Sequence, residues 1–334
     1  MEHNRTLQMK VQVLFIAINQ MFVSERKCSG RSEDLKQVNV ISISGGKDST
    51  ALWLHAIERD TQNLKVVFAD VGNEHPETYK YVDYLEKELG PIIRVKADFS
   101  KQIERKREYV NTKWREEGVS ETIIQNALEI LIPTGIPYLD LCMWKGRFPA
   151  SQSQFCTQEL KIIPILDQIY MPIFEAGDKV ISWQGIRAQE SRRRSKMAEI
   201  EETPEGYTVY RPLLNWDVYD VFKQHDKFGI EPNPLYKLGM GRVGCMPCIN
   251  AKKEELFEIQ RRFPEVVERI IEWERIVSMA SKRGSATFFT SDERGHGMED
   301  IVEWSKTARG GKQYDLLKLT DELPACSSMY GLCE

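Results

Sequence analysis

The chain has 334 residues, 41% of them hydrophobic and 29% charged, with a formal net charge of -4. That balance suits an ordinary globular protein and excludes the disordered and fibrous classes. A slight excess of acid gives no global pull toward nucleic acid, so any such contact has to come from a local patch.

Residues 1–36 read as an N-terminal extension, with one apolar segment (VQVLFIAINQMFV, residues 11–23) followed by the polar run SERKCSGRSEDLK. The segment is shorter than the roughly 20 residues a membrane helix needs, and it contains Asn19 and Gln20. No small-x-small cleavage site follows it, so a packing helix or added extension is expected rather than a signal peptide, with a cytoplasmic location and no membrane partner.

From Val38 onward strand and helix patterns alternate. Val38 to Ile43 predicts a buried strand, Ser49 to Arg59 a helix, Lys65 to Ala69 a second strand and Glu77 to Leu89 a second helix. Ile92 to Val95 predicts a third strand, Ser100 to Glu117 a third helix and Lys179 to Trp183 a fourth strand. This order predicts an α/β fold, a doubly wound parallel sheet covered on both faces. Between Ile130 and Pro164 the chain turns rich in Pro, Gly and Cys, which predicts a long loop or small subdomain rather than regular structure. Residues 251–281 return to a helical pattern interrupted at Pro264. The expected organisation is an extension at 1–36, a nucleotide-binding domain at 37–250 with a Cys-rich insert at about 130–164, and a helical region with a Cys-containing tail at 251–334.

The first strand breaks into Ser44-Gly45-Gly46-Lys47-Asp48-Ser49. Adjacent glycines let the backbone amides of Gly45, Gly46 and Lys47 approach an anion, because no Cβ stands in the way. The helix that follows presents its positive end to the same place, a ready phosphate seat. Ser44 and Ser49 can add hydroxyl hydrogen bonds, and Lys47 a compact positive charge. Asp48 makes sense as a helix cap or as a ligand to Mg²⁺ bridging phosphates. The Walker A spacing GxxxxGK[ST] is absent, and the plain alternative is a tight capped turn. Cys245 and Cys248 form a Cys-x-x-Cys in a Gly- and Pro-containing loop, while Cys142 and Cys156 offer a second pair. Four thiolates fit Zn²⁺ or an iron-sulfur cluster equally well on ligand count.

The run Ser-Gly-Gly-Lys-Asp-Ser after a strand resembles the PP-loop of the ATP pyrophosphatase superfamily, whose members cleave ATP between the α and β phosphates. FADVGNEHPETYKYVDYL (68–85), FCTQELKIIP (155–164), WQGIRAQESRRRS (183–195) and PLYKLGMGRVGCMPC (234–248) are similar, in this order, to landmarks of the phosphoadenosine phosphosulfate (PAPS) reductase family. The resemblance implies that the backbone at Phe68 and Ala69 meets adenine, with Asp70 near the ribose or metal. It implies a close approach at Gly185, a phosphate clamp at Arg187, further anion contacts from Arg192, Arg193 and Arg194, and a second phosphate contact at Lys161.

For the cysteines the resemblance implies a [4Fe-4S] cluster, since members that bind adenosine phosphosulfate (APS) hold one through a Cys-Cys pair and a later Cys-x-x-Cys. Phe155 stands where the first paired cysteine would be, so Cys142 is the inferred replacement, with Zn²⁺ as the alternative occupant. In sulfonucleotide reductases a tail cysteine attacks sulfur in a Glu-Cys-Gly-(Leu or Ile)-His setting. Here the tail carries Cys326 and Cys333 with similar letters in a different order, which makes Cys333 a candidate nucleophile or sulfur carrier.

The intact glycine turn favours an enzyme that adenylates an acceptor and releases pyrophosphate for iron-sulfur-dependent sulfur transfer, with Lys47 and Asp48 in the chemistry. The alternative is an APS/PAPS reductase releasing sulfite by thiol attack, and a second alternative is a non-catalytic nucleotide and iron-sulfur scaffold subunit. The partners these readings require are an adenine nucleotide (ATP, APS or PAPS) and a sulfur-donor or thiol-reductant protein. A nucleic acid acceptor would have to use short basic runs such as KQIERKR at 101–107.

Overall fold

The computed structural model describes residues 35–289, 292 and 294–307. The expectations for the N-terminal extension, Cys326 and Cys333 lie outside the described residues. In chain order the elements begin with β1 (Gln37–Ile43), α1 (Lys47–Glu58), β2 (Leu64–Asp70), α2 (Pro76–Leu89), β3 (Ile92–Lys96) and α3 (Ser100–Tyr109), the last running on through a π turn at Val110–Trp114. Val66, Val67, Phe68 and Ala69 are all buried on β2, the continuous apolar run of a strand covered on both faces. His75 caps α2 by accepting the Glu77 N–H at 3.1 Å, and Pro76 opens the helix where its missing N–H costs nothing.

Helices α4 (Glu121–Ile130) and α5 (Pro137–Lys145) follow. All of α5 and the first part of a helical run from Phe155–Thr157 to Met171–Glu175 occupy the stretch whose composition predicts a loop. Pro137 and Gly146 are the punctuation of α5, Pro at its first turn and Gly in the left-handed conformation just past its end. The later run accommodates Pro164 and Pro172 by widening into π turns at Gln158–Ile162 and Leu166–Tyr170, each just ahead of a proline that supplies no N–H.

Strands β4 (Lys179–Trp183), β5 (Ile200–Glu202) and β6 (Thr208–Tyr210) complete a six-stranded sheet of order β3-β2-β1-β4-β6-β5. β1 pairs with β4 in parallel, from Gln37 opposite Lys179 to Ile41 opposite Trp183, and β4 pairs with β6 in parallel. β5 runs antiparallel to β6 at one edge, and the sheet is mostly parallel, as the expected doubly wound fold requires. The exposed three-residue strand Ile-Glu-Glu carries too little apolar pattern to be read as a strand. Among the described residues, no helix is long and apolar enough to cross a membrane.

The described chain divides into two compact units. The first comprises the described residues up to Ile43, Asp48–Val67 and Leu166–Ile230, and the second comprises Ser44–Lys47, Phe68–Ile165 and the described residues from Glu231 onward. Helix α5 lies at the heart of the second unit, with Tyr138, Leu139, Leu141, Cys142 and Met143 buried in a core shared with Trp114, Ile124, Ile270, Trp273 and Phe288.

Lys106 of α3 donates to the Met143 carbonyl at 2.7 Å and the Ala280 carbonyl at 2.8 Å, tying together the C-terminal ends of α5 and of the helix Pro264–Met279. Burial holds its pKa down at about 8. The folded state therefore binds this proton less tightly than the unfolded chain, whose lysine titrates near 10.5. Stability consequently rises as pH climbs from about 8 to about 10.5, by on the order of 3 kcal/mol. In urea titrations the wild type is expected to gain that much relative to Lys106→Met across this window. A difference that stays constant with pH would show that the two carbonyls keep the amine an ordinary lysine.

Candidate nucleotide and thiol sites

In the second unit, the chain leaves β1 and turns at Ser44-Gly45-Gly46. Gly45 has φ of +72°, and a Cβ there would sit 2.9 Å from Thr78 Cγ2, so both conformation and space demand glycine. A Cβ on Gly46 would approach Tyr236 Oη and the Val243 carbonyl at 3.3 Å each. The turn is braced from the segment at 233–236. Asn233 donates its side-chain amide to the Gly45 carbonyl at 3.1 Å, and the Tyr236 hydroxyl accepts the Lys47 N–H at 2.9 Å. The Lys47 ammonium lies 5.3 Å from the Tyr236 ring centroid, within cation-π range. The Lys47 amide, expected to meet an anion, thus has a protein partner.

In the first unit, Arg187 Nε donates to Asp48 Oδ1 at 2.6 Å, with side chains only 7% and 19% exposed. A Cβ on Gly185 would stand 3.1 Å from the Asp48 carbonyl, which explains why the chain after β4 has glycine there. The order of the sheet reverses between β1 and β4, and ligands of such sheets gather at the carboxyl ends of strands at this switch point. Asp48, expected as a cap or Mg²⁺ ligand, and Arg187, expected as a phosphate clamp, lie on each other. Removing one partner of so buried a pair costs on the order of 3–5 kcal/mol. Arg194 pairs with Glu190, which also accepts the Arg187 N–H at 3.2 Å, while Arg192 and Arg193 are exposed.

Back in the second unit, Phe68 and Ala69 are buried at the end of β2. Asp70 accepts the Gly72 N–H at 3.0 Å and the Tyr79 hydroxyl at 2.8 Å, which is 3.0 Å from Glu74 as well. Burial pushes the Glu74 pKa up, although Lys161 and Tyr79 pull it down. A protonated Glu74 can donate to the tyrosine oxygen while that hydroxyl donates to Asp70, which satisfies all three groups.

The four cysteines belong to the second unit. Cys245 bridges Glu74 in antiparallel fashion, the Met246 N–H donates to the Asn73 carbonyl at 2.8 Å, and Asn73 donates its amide to the Pro247 carbonyl at 3.1 Å. Arg269 holds both strands of this junction, at 3.0 Å from Asn73 Oδ1 and 2.6 Å from the Met246 carbonyl. Burial raises the Cys142 thiol far above its ordinary pKa, with Cys156 adding to the shift. Cys245 is pushed up to about 12 by burial and by Glu74, Cys248 and Cys156, against the pull of Lys161. Cys156 is raised by burial and by Cys248. Burial lowers the Lys161 pKa, but Cys245, Glu74, Cys248 and Cys156 together outweigh that and raise it.

Among the described residues, no three or more His, Cys, Asp or Glu side chains stand close enough together to hold a metal ion as they are placed. The four thiols nevertheless share one electrostatic field, and the buried Tyr138 hydroxyl within it has no hydrogen-bond partner among the described residues. Burial raises the thiols of Cys142, Cys156 and Cys245, and such a set beside an orphaned donor fits a cationic centre that would take the protons' place.

Of the expected site residues, Gly45, Gly46 and Lys47 therefore gather under Tyr236, Asp48 joins Gly185 and Arg187, and the cysteines gather with Lys161. Arg194 stands apart on Glu190. Asn233, Tyr236, Tyr79, Glu74 and Tyr138 were missed by sequence reasoning. Tyr236 lies inside the PLYKLG landmark, a signal that pointed to the segment without singling out the hydroxyl.

A mostly parallel α/β sheet whose first strand ends in this glycine turn defines a nucleotide-binding protein of the PP-loop type. Residues 38–251 match the phosphoadenosine phosphosulfate reductase domain family, and the chain belongs to that family. It is 50% identical over 325 residues to an uncharacterized 37.8 kDa protein of Escherichia phage 186, covering 89% of this chain and 97% of that one. It is 23% identical over 246 residues to a phosphoadenosine 5'-phosphosulfate reductase of Baumannia cicadellinicola, covering 71% and 84%. Among solved structures it is similar to a PAPS reductase from Candida auris, with a TM-score of 0.38, 17% identity and coverage of 63% and 82%.

Proposed function

We propose that the protein is a PP-loop enzyme of sulfur chemistry that binds ATP or a related adenylyl nucleotide and activates an acceptor by adenylation, releasing pyrophosphate, for iron-sulfur-dependent sulfur transfer. The observation that carries this reading is the glycine turn, where a left-handed Gly45 and a close-packed Gly46 precede Lys47 and a helix start. The amides of Gly45 and Gly46 and the Lys47 ammonium would neutralise charge on the β and γ phosphates as they leave together. Backbone at Phe68 and Ala69 would receive adenine, with Asp70 toward the ribose. Asp48 would hold Mg²⁺ on the phosphates, freeing Arg187 to join Arg194 as an anion contact. Lys161 would either meet phosphate or balance the negative charge of the thiolates.

Cys142, Cys156, Cys245 and Cys248 would hold a [4Fe-4S] cluster, which when bound supplies sulfur or electrons to the activated acceptor. The protein's own part is to bury those thiols and set Lys161 beside them. A second reading, an APS/PAPS reductase that releases sulfite, is supported by the family and by the Baumannia relative. The two readings part on one assay. Cluster-loaded protein given ATP and, separately, APS or PAPS under anaerobic reducing conditions is expected to release pyrophosphate from ATP. Sulfite from APS or PAPS with no pyrophosphate from ATP would replace the first reading by the second.

A further inference from the structure

Tyr138 is 2% exposed, and among the described residues its hydroxyl has no hydrogen-bond partner. The ring cannot swing away to find one. It stacks on Trp273 at 5.8 Å and on Phe288 at 6.0 Å, and its own N–H is tied to the Val71 carbonyl at 2.9 Å. A buried hydroxyl that donates to nothing is worse than the bare ring of phenylalanine, which would pack equally well here. The oxygen therefore points to an acceptor that the described residues do not provide.

Two observations say which acceptor. Cys142 follows Tyr138 by four residues on α5, so the two side chains share one face of the helix a turn apart. Burial raises the proton affinity of the phenol, and Cys142, Cys245, Cys156 and Cys248 each raise it further, so all four thiols act on this one group. Protonated thiols are poor acceptors, whereas the thiolates and sulfides of a metal cluster carry negative charge and accept well.

We infer that the Tyr138 hydroxyl is a hydrogen-bond donor to the sulfur of a cluster held by the four cysteines and that it raises the reduction potential of that centre. The inference rests on the cluster reading above. Its physical basis is simple: reduction adds negative charge to the cluster, a hydrogen bond to sulfur stabilises the more negative state, and removing the donor makes reduction harder. Tyr138 is on this account a tuning residue that neither ligates iron nor touches a nucleotide.

The test compares full-length wild type with Tyr138→Phe, both purified anaerobically, with iron and sulfide content measured first and the midpoint potential then taken by dithionite titration. The variant is expected to keep its iron and to be about tenfold less favourably reduced, a fall of about 59 mV for a one-electron couple. Equal iron content with an unchanged or higher potential would overturn the role of Tyr138 and leave the cluster in place. Wild type that contains no iron and sulfide, or that contains zinc, would overturn the cluster reading and this inference together. Should the phenylalanine variant fail to fold, resonance Raman spectra of wild type in H₂O and D₂O replace it. An iron-sulfur stretch that shifts with deuterium is expected, and one that does not would refute a hydroxyl donor.

Discussion

Replacing Gly45 by alanine is expected to weaken binding of an ATP analogue by at least tenfold, equivalent to about 1.4 kcal/mol, and to destabilise the fold as well. Alanine at φ of +72° is strained, and its methyl would stand 2.9 Å from Thr78 Cγ2 on α2. Relief requires the turn to move off α2, which also disturbs the Asn233 bond to the Gly45 carbonyl. Together these effects cost about 1–3 kcal/mol of stability. Gly90 supplies the control, because it too has a positive φ, +124°, but open space around its would-be Cβ. Gly90→Ala is expected to lower the melting temperature and leave nucleotide affinity unchanged. Fluorescent-nucleotide titration and thermal melts on the two variants check this, and equal affinity in Gly45→Ala and wild type would remove the turn from the binding site.

Cys142→Ala is expected to lose the visible absorption and most of the iron of anaerobically purified protein. Cys142 is the least obvious of the four proposed ligands, since Phe155 interrupts the paired-cysteine pattern. Its placement answers that objection in part. Cys142 is fully buried on α5, Cys156 acts electrostatically on it, and Phe155 is engaged elsewhere, under the Arg147 guanidinium at 5.3 Å. Loss of one sulfur atom from the core costs only about 1 kcal/mol, so the variant is expected to fold and its iron content to be interpretable. A variant that keeps its full complement of iron would mean that another residue ligates, and zinc in place of iron in wild type would select the alternative occupant.

Local patterns disclosed the elements whose physics is local. The apolar runs of β1 and β2, the three- and four-residue spacing of α2 and the glycine turn all stand close to where the sequence puts them. Composition misled between Ile130 and Pro164, because Pro137 and Gly146 were read as loop formers when they open and close a nine-residue helix. The π turns that carry the chain past Pro164 and Pro172 leave no recognisable spacing. Pairings across long sequence separations were invisible for the same reason. Nothing near Asp48 announces Arg187, and nothing near Lys47 announces the hydroxyl of Tyr236. The set of four cysteines could be assembled only because thiols are rare enough to count. Tyr138, one apolar-looking residue in a buried helix, gave no sign of its orphaned hydroxyl.

The glycine turn as the seat of nucleotide phosphates is most directly tested by recording backbone amide resonances of the wild-type protein while a non-hydrolysable ATP analogue is added with Mg²⁺. Saturable binding with the largest shifts at Gly45, Gly46 and Lys47 is predicted. Saturation that leaves those three amides unmoved, or no binding of any adenylyl nucleotide, would contradict the account.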